Sequence, residues 1–144
     1  MTTCLLDVNV LIALIDPAHV QHDAAHAWFG RDGHKSWATC LLTENGLLRI
    51  VGHARYPNSA GTPAAVLPLL TAMCALPGHA HWADHITLRD AERIDATRLL
   101  SSAQVTDSYL LALARAHGGR LATFDRRLVT DAVHGGREHL TLIE

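Results

Sequence analysis

Thr3-Cys4-Leu5-Leu6-Asp7-Val8-Asn9-Val10-Leu11-Ile12-Ala13-Leu14-Ile15-Asp16-Pro17 decides the fold. Residues 3–6 form a short apolar run, which reads as a buried strand. From Val8 to Ile15 the pattern shifts to helical spacing, and Asp16-Pro17 ends it, because the residue before a proline is pushed out of the helical region. A single acidic residue, Asp7, stands between the two elements. A buried strand that hands over directly to a helix is the opening of a β-α-β unit.

The alternation continues along the chain. A second helix is predicted over 19–29, stopped near Gly30 and Gly33, followed by a strand over 36–39. A helix over 43–51 takes Thr43 as its N-cap. After a loop over 55–61, Thr62-Pro63 starts a helix that runs to about Cys74, with Pro68 as a kink. Pro77-Gly78 is a turn, 81–83 an edge strand, and 86–88 its continuation or a further turn. Residues 90–100 read as partly helical. The cleanest helix covers 106–117, with Leu110, Leu113 and Ala114 on one face and Gly118-Gly119 at its end. A strand over 120–123, a short helix over 126–133 and a strand over 140–143 complete the chain. Strands alternating with helices imply an α/β fold: a short, mostly parallel central sheet with helices on both faces.

The 144 residues make one ordinary domain, expected to span 1–144. Apolar residues are 49% of the chain, enough for a core without staples. Charged residues are 18%, low for a free monomer, and the formal net charge is -2, which speaks against a general coat for nucleic acid. Three widely spaced cysteines, Cys4, Cys40 and Cys74, make no disulfide framework. A reducing, cytoplasmic setting is expected. No signal peptide is read at the N-terminus, and no apolar run is long enough to span a membrane.

Four acids stand at element junctions. Asp7 follows the first strand, Glu44 opens the third helix, Asp107 opens the helix after Val105-Thr106, and Asp125 follows Leu121-Ala122-Thr123-Phe124. In open parallel sheets, ligands bind beyond the carboxyl ends of the strands, so one sheet edge can collect all four. Two unit charges about 4 Å apart repel by roughly 4 kcal/mol at an effective dielectric near 20. Such a pocket either takes up protons or admits a hard cation. Each acid also has a plain structural role to fill: Asp7 as an N-cap, Glu44 and Asp107 at the positive end of a helix dipole, Asp125 in an Asx-turn.

The blocks Leu6-Asp7-Val8-Asn9-Val10-Leu11, Thr43-Glu44, Thr106-Asp107-Ser108-Tyr109-Leu110-Leu111-Ala112 and Ala122-Thr123-Phe124-Asp125 together resemble PIN-domain ribonucleases, and among them the VapC-type toxins of prokaryotic toxin–antitoxin pairs. The resemblance covers nearly the whole chain, in order. It implies a PIN-like three-layer α/β fold and endoribonuclease activity dependent on Mg2+ or Mn2+. It also implies an RNA substrate, a cognate antitoxin as inhibitor, and a homodimer. It carries the acidic metal-site role onto Asp7, Glu44, Asp107 and Asp125, with Asp7 and Asp107 as principal ligands. Asn9, Thr43 and Thr123 match supporting polar positions. Arg126 and Arg127, beside the last acid, are candidates for RNA phosphate contact.

Other readings compete. The acidic pocket of a catalytically silent PIN-like module would dock a basic segment of a partner. A phosphatase built on Asp7 would want a second acid where Asn9 stands. His19, His22 and His26 share a helix face, but no cysteine pair completes a zinc set, so they read as a polar outer stripe. Trp28, Phe29 and Trp37 are either core or a groove for a partner helix.

Overall fold

The first strand, β1 (Cys4–Leu6), lies at the centre of a five-stranded sheet in the computed structural model, which describes residues 1–144. Its neighbours are β2 (Trp37–Thr39) on one side and β4 (Arg120–Thr123) on the other; β3 (His79–His81) and β5 (Leu140–Leu142) form the edges. All four pairings are parallel. Leu5 is in register with Ala38 and Leu121, and Leu6 with Ala122. Side chains alternate across a strand, so Leu5, Ala38 and Leu121 face one core, while Leu6, Trp37 and Ala122 face the other.

Four helices cover the Leu6 face: α1 (Val8–Ile15), α2 (His22–Arg31), α3 (Leu41–Val51) and α4 (Pro63–Cys74). The Leu5 face is covered by α5 (Ala103–Ala116), whose Leu110 to Ala114 are fully buried. This split follows from the strand order. The chain steps outward from β1 to β2 to β3, then returns to the far side of β1 as β4. Crossovers between parallel strands are right-handed, so reversing the direction of travel moves the next helix to the opposite face. The reversal leaves a crevice between the ends of β1 and β4. Asp7 and Asp125 flank it.

Trp28 and Trp37 are buried in the α1–α4 core, which decides their role: they are not an open groove. The His22 and His26 stripe is turned onto the end of α1. His22 Nδ1 donates to the Ala13 carbonyl and His26 Nε2 to the Leu14 carbonyl, each at 2.7 Å. Both serve orphan acceptors of the last helical turn. Asp16, almost fully buried, accepts from the Ala18 N–H, from Asn58 and from the Tyr56 hydroxyl. It thereby ties the end of α1 to the loop after α3.

Several expected boundaries are corrected. Helix α3 begins two residues before Thr43. Its cap is Cys40, and Thr43 reaches back to accept from the Cys40 N–H at 3.0 Å. Helix α5 begins at Ala103, because buried Gln104 accepts from the N–H groups of Leu100 and Ser101 and so organises the turn before it. Asp107 therefore lies in the second turn, and no acid occupies the first. Strand β3 starts at His79, two residues early. Gly78, at φ +88°, turns the chain so that its carbonyl accepts from Trp37. No α-helix forms over 126–133, and the partly helical 90–100 holds one 3-10 turn, Ala96–Arg98. Asp90, Asp95 and Asp125 each take a backbone N–H two residues on. The two segments also pair with each other: Asp95 N–H donates to Ala132, His134 N–H to Arg93, and Ile94 bridges Val133. Local side-chain bonds of this kind compete with helix.

Candidate active site

Asp7 leaves β1 while its N–H still donates to Ala122 of β4 at 3.0 Å. Its Oδ1 accepts from the Val8 N–H at 2.8 Å, so it does cap α1. Its Oδ2 accepts from the Thr123 hydroxyl at 2.9 Å. Thr123, the last residue of β4, also accepts from the Asp125 N–H at 3.1 Å. One buried hydroxyl thus locks the two strand ends together and fixes both acids at the crevice.

Asp107 comes to the same place from α5. Burial, then the charges of Asp7 and Asp125, push its carboxyl up to about 6. Asp7 is also raised, chiefly by burial; the Thr123 and Val8 donors oppose this, and Asp125 adds to it. None of the three takes part in the salt bridges of the chain, which lie elsewhere. The three carboxylates thus lie near enough for their charges to act on one another, and none of them is ion-paired with a cationic side chain. Asp107 lies beyond the first turn of its helix, so the helix dipole does not account for it.

Glu44, in the first turn of α3, makes its bonds at the neighbouring β2–β3 corner. Its Oε2 accepts from the Thr39 hydroxyl at 2.7 Å and meets His81 Nδ1 at 2.8 Å. The charges that lift Asp107 come from Asp7 and Asp125, not from Glu44. The structure thus gathers three of the four acids and gives the fourth separate partners. Asn9 is exposed on α1 and bonds to none of the acids. Thr43 serves the backbone at the start of α3. Arg126 and Arg127 are exposed beside Asp125, in no ion pair. Sequence reading assigns no site role to Thr39, Cys74, His79 or His81. The signal available for two of them is His79-Ala80-His81, since alternate residues of a strand share a side.

The donor set fits a hard divalent cation. Carboxylate oxygens suit magnesium or manganese, and a doubly charged ion offsets both the burial and the mutual repulsion that push the Asp107 carboxyl up to about 6.

Residues 4–130 match the PIN domain, and the chain belongs to that family. It is 42% identical over 140 residues to ribonuclease VapC44 of Mycobacterium tuberculosis, covering 96% of this chain and 98% of that one. Ribonuclease VapC39 of the same organism is 43% identical over 133 residues, covering 92% and 96%. A solved structure described as a toxin–antitoxin complex from Klebsiella pneumoniae shares the fold, with a TM-score of 0.60 over 98% of both chains at 21% identity.

Proposed function

We propose that this chain is a metal-dependent endoribonuclease, the toxin of a VapBC-type toxin–antitoxin pair, working as one PIN-like unit over residues 1–144. The observation that carries the reading is that Asp7 and Asp125, both bonded to Thr123, flank the crevice where the sheet reverses, that their charges bear on Asp107, and that none of the three is in an ion pair. The ribonuclease relatives cover nearly the whole chain and agree with it.

Asp7 and Asp107 are the principal ligands, with Mg2+ or Mn2+ as the ion. Bound there, the ion would make an attacking water more acidic and relieve charge on the phosphate. The remaining work belongs to the chain. Thr123 and the Val8 N–H fix the orientation of Asp7. Asp125, held to Thr123 through its own N–H, orients water or a second ion. Glu44 would have to leave Thr39 and His81 to complete the set from α3; Thr43 would support it only through the start of α3, and Asn9 as an exposed polar group on α1. Arg126 and Arg127 face RNA phosphate, positioning the strand without reading its sequence. A homodimer in the cytoplasm, inhibited by an antitoxin that inserts a basic residue among the acids, completes the reading. No helix of the chain is long and apolar enough to cross a membrane.

The test is RNA cleavage by purified protein with magnesium or manganese. Asp7→Asn and Asp107→Asn should each lower the rate by about 100-fold or more while the fold persists by circular dichroism. Undiminished cleavage by either variant overturns the assignment.

A further inference from the structure

A second cluster of metal-ligating groups lies at the β2–β3 corner, outside the three converging aspartates. One ligand atom each from Glu44, Cys74 and His79 lies within 4.8 Å of the others. The three come from α3, the last residue of α4 and the first residue of β3. Glu44 and His79 share a neighbour in the fully buried hydroxyl of Thr39, 2.7 Å from Glu44 Oε2 and 2.8 Å from His79 Nε2. One hydroxyl has one proton. Given to Glu44 Oε2, that proton is not available to His79 Nε2, whose lone pair is then free for a cation in the tautomer protonated at Nδ1.

We propose that Glu44, Cys74 and His79 form a second metal site, for a zinc-class divalent cation, clasping α3 and the end of α4 to the start of β3. A thiolate and an imidazole select zinc over magnesium, while the all-carboxylate set selects the reverse. Ligand atoms around tetrahedral zinc lie roughly 3.3–3.8 Å apart. Closing the cluster therefore takes side-chain movement of about 1 Å, with water in the fourth position.

The surroundings already orient one ligand: His81 Nδ1 holds Glu44 Oε2 at 2.8 Å. Burial pushes His79 down, which keeps it neutral with a lone pair to give. Burial and the Glu44 charge push the Cys74 thiol up, so binding releases its proton to solvent as the sulfur–metal bond forms. The site shares Glu44 with the nuclease set but does not depend on the nuclease reading.

The experiment is a cobalt(II) titration of the reduced, chelator-stripped full chain, followed by the sulfur-to-cobalt charge-transfer band in the near ultraviolet. One equivalent should generate the band, and zinc should abolish it by displacement. Cys74→Ala should lose it, while Cys4→Ala, Cys40→Ala and Asp107→Asn should keep it. His79→Phe should keep a sulfur band but bind at least about tenfold more weakly, and His81→Phe, which removes only an orienting partner, about tenfold more weakly. No band, a band that survives Cys74→Ala, or unchanged affinity in both histidine variants overturns the proposal. The readout is optical, so loss of RNA cleavage with an intact band counts against the nuclease alone.

Discussion

Asp107 carries the cost of the constellation at the scale of one residue. Its folded value of about 6 lies above the ordinary 3.8. Between those values the folded chain holds a proton that the unfolded chain has lost, so this group's contribution to stability falls as pH rises from about 4 to about 6. Asn at this position stays neutral throughout. In metal-free buffer the thermal midpoint of Asp107→Asn should therefore rise relative to wild type across that window and level off above it. Magnesium should shrink the gap by stabilising the wild-type carboxylate. A gap independent of pH would show that Asp107 is not held among like charges. Asp16 has the opposite sign. The Tyr56 hydroxyl leads a set of donors that hold its carboxyl below the usual range, so its contribution is present above the ordinary 3.8 and is lost as pH falls through the lowered value. Tyr56→Phe should cost about 1.5–3 kcal/mol at neutral pH in urea denaturation, because it removes a donor to a buried charge.

Element boundaries follow from side chains that supply or steal backbone hydrogen bonds. Gln104 starts α5 three residues before the apolar periodicity does, and so sets where Asp107 falls along the helix. Gln104→Ala should cost about 1–3 kcal/mol in chemical denaturation, since it strands N–H groups of Leu100 and Ser101. It should also lower cleavage by shifting Asp107, and glutamate at the same position, which keeps an acceptor oxygen, should restore part of both. Strand β1 and helix α1 are legible from their residues because a run of apolar side chains leaves Asp7 no element to join. The absent helix over 126–133 is not legible. Its short apolar pattern is compatible with a helix, but Asp125 takes the Arg127 N–H at its start and the pairing with residues 93–95, distant in sequence, engages Ala132 and Val133 at its end.

At the scale of the whole molecule, the strand order turns scattered residues into a site. Asp7 and Asp125 are 118 positions apart, yet the parallel β1–β4 pairing sets their strand ends side by side, with Thr123 bonded to both. A ligand that binds only the folded state stabilises it by mass action. Magnesium at about 100 times its dissociation constant should therefore add about 2.7 kcal/mol to unfolding stability. The increment should vanish in Asp7→Asn. An equal increment in that variant would mean that the ion binds elsewhere.

The sequence by itself determined the alternation of strands and helices and the resemblance to a ribonuclease family, because apolar periodicity and ordered motifs are local properties of the chain. Only the tertiary structure decided which acids meet and what each one touches. Asp7 and Asp125 meet at Thr123 because β4 pairs with β1 where the sheet reverses, whereas Glu44 bonds to Thr39 and His81 because β2 and β3 pair in parallel beside its helix. Strand pairing between distant segments leaves no trace in either segment alone.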